Sequence, residues 1–464
     1  MIKKFKITGL FGFRTVDISF ENNIKILIGE NGLGKTTVLN SLYYLLNQMY
    51  HKLVKVEFET IELIFSNDEL IGFSKFELES YLNYKENMSN RRIPSSIQRQ
   101  LEQLNTADLK IQICDFEKMD SKNLKKISDF IDKHEIRRFA PTEIMAREIY
   151  RFIQESSSFE IFDKLKSIQE DLKFSILYLP TYRRVEEDLK NLGTFRKKIG
   201  RRFDSSREYY EEIEEDLEAT DDTLIHFGME DVKQKIITIK NEIGKSTVVG
   251  FSKLTGGMLS LFLHEFPKIE NSDIEKLDEK TIKIILHRVG TNIPQRDKDD
   301  ILSLLGDKAK LKEKKELIAF IYKLIDIYNE HKHLDNRIKN FRDVCNKYLS
   351  DKQFRYDESS VDLDIYRNNT EEKIELNKLS SGEKQIISIF SKLYLEENEN
   401  LIVLFDEPEL SLSLPWQELL LPDIVDSEKC KFLLAVTHSP FIFQNKLDSY
   451  AVGMNIYINE LANG

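Results

Sequence analysis

Cysteine, glycine and proline are scarce in this chain of 464 residues, which contains 3 Cys, 18 Gly and 9 Pro. The three cysteines stand far apart, which excludes a disulfide framework and a closely spaced cysteine metal site. The low glycine and proline content argues against a disordered chain and against a loop-rich all-β protein. Charged residues reach 32%, above the typical share of about 25%. The composition predicts a mostly helical protein with a heavily solvated surface.

Long apolar runs are also missing, since none approaches the roughly 18 residues of a membrane helix. The segment Met1–Lys6 lacks the apolar core of a signal peptide. These absences predict a cytoplasmic protein with no membrane partner. The net charge of −11 argues against a generic nucleic-acid coat but leaves room for local basic patches. The basic cluster Arg196–Arg202 contacts nucleic-acid phosphates, forms a solvated helix face or contacts an acidic partner, so DNA stays open as a partner.

Both ends of the chain show the patterns of an α/β core. Apolar residues alternate at Val16, Ile18 and Phe20, and they are denser over Ile24–Ile28. A helical apolar stripe follows over 38–46, and period two returns over 54–65. Near the other end, residues 401–405 and 431–436 are apolar runs of the kind found in strands buried on both faces.

The middle of the chain is mostly charged helical sequence. A short strand-like run covers Phe174–Leu179, and a long helix pair is predicted over Asp204–Glu242 with a break near Gly228. No heptad pattern lasts for the three or four repeats of a coiled coil. The sequence therefore predicts an α/β nucleotide-binding domain with antiparallel N-terminal strands, split by a mostly helical insertion. The predicted parts are 1–81, the insertion 82–350, and 351–464.

Residues 29–36 read G-E-N-G-L-G-K-T and match the phosphate-loop pattern G-x-x-x-x-G-K-[ST] completely. In such a loop, backbone N–H groups surround the β-phosphate of ATP. Lys35 supplies charge to the β- and γ-phosphates and Thr36 ligates Mg²⁺, while the helix N-terminus adds partial positive charge. A chance glycine-rich turn is the alternative, and the flanking strand and helix make it improbable. The candidate nucleotide-binding residues are Asn31, Gly32, Leu33, Gly34, Lys35, Thr36 and Thr37.

Asp406 and Glu407 directly follow the apolar strand 401–405. In phosphate-loop enzymes a carboxylate at this place binds Mg²⁺ through water, and the next one orients the attacking water. The alternative is a solvated turn, which the strand before the pair and Pro408 after it disfavour. We expect Asp406 and Thr36 at the metal and Glu407 as the catalytic base.

Residues 379–385 read L-S-S-G-E-K-Q. Alone, this segment predicts an ordinary helix N-cap with an acidic first turn. Between the phosphate loop and the acidic strand, it resembles the ABC-type ATPase signature LSGGxxQ, with Ser381 in place of the first glycine. A lone histidine after a buried strand is more often structural than functional. At this spacing after the acidic strand, however, His438 resembles the switch histidine that contacts the γ-phosphate.

These motifs, together with Ile7–Phe13, resemble the SMC/RecF/OLD group of ABC-type ATPases. The resemblance implies an ABC-type fold and slow or regulatory ATP hydrolysis with Mg²⁺. It also implies that the signature of one subunit closes over ATP held by another. Ser381 and Gly382 would then act in trans, in a head-to-head dimer or a higher homo-oligomer.

Within the group, the lack of heptads argues against a long-armed SMC-like protein. Only 26 residues follow His438, too few for a nuclease domain. The segments 179–184 and 406–413 resemble ATPase subunits of two-gene anti-phage systems, most of all the Septu PtuA-like and secondly the PARIS AriA-like subunits. This resemblance implies a regulatory ATPase that controls a separate effector nuclease of the HNH or Toprim type. A RecF-like repair ATPase acting on DNA ends is the alternative, and an ATP-binding scaffold is a third possibility.

No Q-loop glutamine is evident between the phosphate loop and the signature. Either Arg183 or Arg184 occupies that neighbourhood, or the arginine forms an ordinary surface ion pair with an acidic side chain.

Overall fold

A computed structural model describes residues 1–89 (apart from Glu21 and Asn31), 160–171, 174–181, 229–263, 277–290 and 293–460. The predictions for Asn31, for Arg183 and Arg184, and for the basic cluster Arg196–Arg202 lie outside these residues. The chain divides into two compact units. The first comprises Met1–Thr181, Asn400–Leu410 and Cys430–Gly464, and the second comprises Tyr182–Glu399 and Ser411–Lys429.

The described strands, in chain order, are β1 Ile2–Leu10, β2 Arg14–Ser19, β3 Ile24–Ile28, β4 Thr60–Phe65, β5 Leu70–Ser74, β6 Ser175–Leu179, β7 Lys352–Asp357, β8 Asp362–Arg367, β9 Lys373–Ile374, β10 Leu401–Asp406, β11 Cys430–Thr437, β12 Ala451–Gly453 and β13 Ile458–Glu460. The described α-helices are α1 Lys35–Leu46, α2 Tyr50–Leu53, α3 Lys75–Ser89, α4 Glu160–Asp171, α5 Met229–Leu263, α6 Glu279–Arg288, α7 Gln295–Gly306, α8 Lys308–Lys312, α9 Lys315–Asn346, α10 Ser381–Tyr394 and α11 Leu414–Val425. Short 3-10 helices cover Leu376–Lys378, Pro440–Ile442, Asp448–Tyr450 and Met454–Tyr457.

The first unit contains an antiparallel sheet in the order β13-β2-β1-β4-β5. Alternate residues of its strands are buried, among them Phe5, Ile7 and Ile18, so period two reflects one buried face. The predicted antiparallel N-terminal strands are thereby confirmed.

One part of the strand prediction for residues 54–65 is wrong. Only β4 forms a strand there, because the chain continues from α2 into helical turns. The N–H of Val54 donates to the carbonyl of Tyr50 at 2.9 Å, and that of Val56 to Leu53 at 3.0 Å. These short-range bonds use backbone N–H groups that would otherwise pair with a neighbouring strand. The alternation of Val54, Val56 and Phe58 therefore does not correspond to a strand.

A parallel sheet in the order β12-β3-β11-β10-β6 forms the centre of the first unit. Every residue of β10 is buried, as expected for a strand covered on both faces. β3 lies between strands from the far end of the sequence, which confirms the predicted split α/β fold. β6, from within the predicted insertion 82–350, pairs along β10 and so belongs to this sheet. The domain boundaries at 81/82 and 350/351 stay predictions.

The second unit holds the long helices α5 and α9, the small sheet β7-β8-β9, and helices α10 and α11. The helix predicted to end at Glu242 continues to Leu263. Close packing accounts for part of this extension. A Cβ at Gly250 would lie 2.4 Å from Cγ2 of Ile327, so the missing side chain lets α5 approach α9. Packing thus outweighs the low helix propensity of glycine.

Candidate ATP-binding and hydrolysis site

The phosphate loop leads from β3 into α1 within the first unit. Gly32 and Gly34 have φ angles of 84° and 86°, a region that disfavours side chains. A Cβ at Gly34 would also lie 2.9 Å from the ring of Phe11. No described side chain caps α1 at Gly34, so the first N–H groups of the helix are suited to phosphate oxygens.

Lys35 begins α1 and folds back over the loop. Its Nζ donates to the carbonyl oxygens of Gly29 at 2.7 Å and Glu30 at 2.8 Å. Burial lowers the pKa of Lys35, and the nearby carboxylates of Glu407 and Asp406 oppose that effect. The ammonium is therefore held among the groups that would surround a phosphate. Thr36 and Thr37 follow in the first turn of α1, and Leu33 lies against Gly29, where a Cβ would be 2.7 Å from its Cδ1.

Thr36 and Asp406 meet as the sequence predicts. The Thr36 hydroxyl donates to Oδ1 of Asp406 at 2.9 Å, and the Thr181 hydroxyl donates to Oδ2 at 2.7 Å. Hydroxyl and carboxylate oxygens are the ligands that Mg²⁺ prefers, and Mg²⁺ sites commonly use one carboxylate with phosphate oxygens and water. In the described part of the chain no three His, Cys, Asp or Glu side chains cluster as a metal site. The donor set of Thr36 and Asp406 therefore fits the Mg²⁺ of a Mg–ATP complex.

Glu407 stands where β10 ends. Its φ angle of 49° turns the chain away from the sheet, and its N–H donates to the carbonyl of Val436 at 2.9 Å. Burial raises the pKa of Glu407, and the carboxylates of Asp406 and Glu409 add to that effect. A carboxyl group with a raised pKa accepts a proton more readily, which suits a general base.

His438 follows β11 and is exposed at the same edge of the sheet. It lies close enough to Glu407 for its charge to influence the pKa of that carboxyl. The structure therefore brings together the phosphate loop, Thr36, Asp406, Glu407 and His438 in the first unit. This is the edge where the carboxyl ends of parallel strands meet, which is the usual ligand-binding edge of such a sheet.

Three residues of this site were missed by the sequence predictions. Arg14 donates through Nη1 to the carbonyl of Gly32 at 3.0 Å. Thr181 contacts Asp406, and Glu409 contacts the start of the His438 segment. Thr181 lies two residues after the strand-like run that ends at Leu179, and this position was the signal that the sequence offered for it.

Ser381 and Gly382 belong to the second unit. Ser380 caps α10, and its side chain and that of Glu383 form a reciprocal capping box. Ser381 is exposed at the helix N-terminus, whereas Gly382 is buried. A Cβ at Gly382 would lie 2.5 Å from the carbonyl oxygen of Ser411 and 3.2 Å from the ring of Trp416. Close packing within the second unit therefore explains why position 382 is a glycine.

Replacing Gly382 with alanine is expected to destabilise the second unit by about 1–3 kcal/mol, because the new methyl group overlaps a backbone oxygen. Gly256→Ala on α5 is the matched control, since nothing lies within 4 Å of the added Cβ. That variant should be neutral or stabilised by up to about 1 kcal/mol. Chemical denaturation followed by circular dichroism measures both, and equal midpoints would contradict the packing explanation.

The family described as AAA ATPase domain matches residues 1–443 of the chain. The chain belongs to this family. An AAA ATPase domain hydrolyses ATP, and domains of this kind generally bind ATP with Mg²⁺, in agreement with the site above. Among the residues that the structure covers, no helix has the length and apolar character needed to cross a bilayer.

Two curated relatives are DNA replication and repair proteins RecF. The protein of Clostridium tetani (strain Massachusetts / E88) is 24% identical over 295 residues, 59% of this chain and 69% of the relative. The protein of Clostridium kluyveri (strain ATCC 8527 / DSM 555 / NBRC 12016 / NCIMB 10680 / K1) is 42% identical over 43 residues, 9% of this chain and 12% of the relative. With the order of the motifs, this similarity supports an ATPase of the SMC/RecF type.

Similar solved structures include an Smc head domain with an extended coiled coil, bound to the C-terminal domain of ScpA and derived from Pyrococcus furiosus. Its TM-score is 0.34 at 11% identity, over 99% of this AAA ATPase chain and 96% of that chain. A second structure, an SmcHead bound to the C-winged helix domain of ScpA, has a TM-score of 0.31 at 8% identity. The match covers 95% of this chain and 90% of that chain.

Proposed function

We propose that this ATPase is the regulatory subunit of a cytoplasmic anti-phage defence complex. In this proposal it assembles with itself, head to head or as a higher homo-oligomer, and it controls a separate effector nuclease of the HNH or Toprim type. The observation that carries the ATPase part is the contact of Thr36 with Asp406 beside the Lys35 loop. The resemblance of segments 179–184 and 406–413 to Septu PtuA-like subunits supports the defence role.

Each residue has a part in the proposed reaction. The loop residues Gly32–Thr37 bind the phosphates, and Asn31 belongs to the same loop. Glu407 accepts a proton from the attacking water, and His438 contacts the γ-phosphate. Mg²⁺, when bound with ATP, neutralises negative charge on the phosphates. All of these roles require the side chains to lie close to one bound nucleotide. The described ones lie together at the carboxyl edge of the parallel sheet.

Ser381 and Gly382 are proposed to complete the site of a neighbouring subunit. Ser381 is exposed at the first position of α10, a helix of 14 residues whose N-terminus carries partial positive charge. Such an end attracts phosphate oxygens. ATP bound between two subunits would then stabilise their association, because it binds the associated state more tightly than the separate one.

Co-expression with the product of the adjacent gene tests the defence role. The expected result is that a nuclease subunit copurifies with the ATPase and that Lys35→Ala alters the complex or the nuclease activity. If the neighbouring product neither copurifies nor changes its nuclease activity with the ATPase present, the proposed partner is wrong.

A RecF-like repair function is the second candidate, favoured by the similarity over 295 residues to a RecF protein. It predicts binding of the purified chain to DNA ends in an ATP-dependent and salt-dependent manner. Tight end binding without any effect on a nuclease would favour repair over defence.

A further inference from the structure

The ends of β10 and β11 stay connected beyond the point where their strand pairing stops. The parallel ladder ends with Asp406 opposite Val436. The chain then turns at Glu407, whose carbonyl accepts the N–H of Leu410 at 3.2 Å. Backbone pairing between the two segments therefore cannot continue as a strand.

The side chain of Glu409 takes over this connection. Its Oε2 accepts the hydroxyl hydrogen of Thr437 at 2.7 Å, and its Oε1 accepts the backbone N–H of His438 at 2.8 Å. The Thr437 hydroxyl also accepts the N–H of Ser439 at 3.0 Å. One carboxylate and one hydroxyl thus fix three consecutive residues, 437–439, at the end of β11.

The hydrogen bonds of Glu409 indicate that it positions other residues and does not react itself. Both oxygens of Glu409 are engaged by donors of the β11 end, and hydrogen bonds to a carboxylate are stronger than those between neutral groups. Thr437 is fully buried, so its hydroxyl needs an acceptor within the protein, and the Glu409 carboxylate at 2.7 Å is nearer than the carbonyl of Ser439 at 3.4 Å. His438 is exposed, so its imidazole is held chiefly through its own backbone.

We propose that Glu409 and Thr437 are positioning residues that set the backbone of His438, so that the enzyme distinguishes ATP from ADP. The proposal rests on the proposed contact of His438 with the γ-phosphate. ADP lacks this phosphate, and its affinity does not depend on where His438 stands. Loss of the Glu409–Thr437 pair therefore weakens binding of ATP relative to ADP, while the phosphate loop keeps its β-phosphate contacts.

Thr437→Val is the decisive variant, because it keeps the shape of the buried side chain and removes the hydroxyl. Calorimetry with ADP and with a non-hydrolysable β,γ-imido analogue of ATP gives the two affinities. The expected result is a roughly tenfold loss of affinity for the ATP analogue with ADP affinity unchanged, as for one lost charged hydrogen bond. Thr437→Ser keeps the hydroxyl, so the ratio of the affinity for the ATP analogue to the affinity for ADP should stay at the wild-type value. A loss of folding would lower both affinities together and would not be corrected selectively by serine.

Glu409→Gln provides an independent variant, and Glu79→Gln on the exposed face of α3 is its matched control. Glutamine can accept only one of the two hydrogen bonds, so the ratio should fall as in Thr437→Val. The double variant should lose less than the sum of the two losses, since both remove one shared interaction.

His438→Ala separates the possible failures. If it lowers the ATP-to-ADP affinity ratio while Thr437→Val and Glu409→Gln leave it unchanged, the positioning role is wrong and the His438 assignment stands. If His438→Ala leaves the ratio unchanged, the γ-phosphate contact itself fails, and the positioning role fails with it. A ratio lowered in all three variants and restored in Thr437→Ser supports the proposal.

Discussion

Glu407→Gln is expected to slow ATP hydrolysis by roughly 100- to 1000-fold, because the amide cannot accept a proton from the attacking water. ATP affinity should be kept or slightly increased, since the change removes one negative charge beside Asp406 and Glu409. Phosphate release measures turnover, and calorimetry measures affinity in the same preparation.

The control for this variant is Glu79→Gln, which makes the same chemical change on an exposed helix and should turn over at the wild-type rate. Wild-type turnover in Glu407→Gln would show that another group activates the water. Loss of nucleotide binding in that variant would instead show that Glu407 holds the nucleotide.

Ser381→Arg and Lys35→Ala are expected to be inactive alone and to complement each other when co-expressed. Arginine at Ser381 places a bulky cation at the start of α10, and alanine at Lys35 removes the cation of the phosphate loop. Each homodimer then lacks one half of both sites. A mixed dimer has one site with an intact loop facing an intact signature.

Random pairing should restore about a quarter of wild-type turnover, since half of the dimers are mixed and each has one intact site of two. Ser303→Arg, at an exposed position of α7, adds the same cation elsewhere in the second unit and should leave turnover unchanged. If Ser381→Arg alone hydrolyses ATP at the normal rate, the residues 379–385 serve only to start α10.

Local sequence predicted the central elements of the site because their signals are local. The glycine pattern of residues 29–36 predicted a phosphate loop, and Gly32 and Gly34 there adopt positive φ angles, which favour glycine. The apolar run 401–405 predicted a buried strand, and β10 is buried throughout. The helix start at Ser381 followed from the Ser380 and Glu383 pair, which forms the capping box.

The remaining features depend on contacts between distant residues. Thr181 contacts Asp406, 225 positions away in the sequence, only because β6 lies beside β10. Glu409 reaches the His438 segment because β10 and β11 are neighbours. Helix α5 continues through Gly250, where the missing side chain leaves room for Ile327 to pack closely. Residue type alone does not reveal such partners, and strand order supplies them.

We propose that ATP bound in the first unit of one copy joins it to a second copy through Ser381 of that second copy. The most direct measurement is the mass of the Glu407→Gln protein by sedimentation, with and without Mg–ATP, because slow hydrolysis preserves the bound state. We expect a larger assembly only with Mg–ATP, and we expect it to be lost when Lys35→Ala or Ser381→Arg is added. An unchanged mass at an ATP concentration that calorimetry shows to be saturating would contradict this proposal.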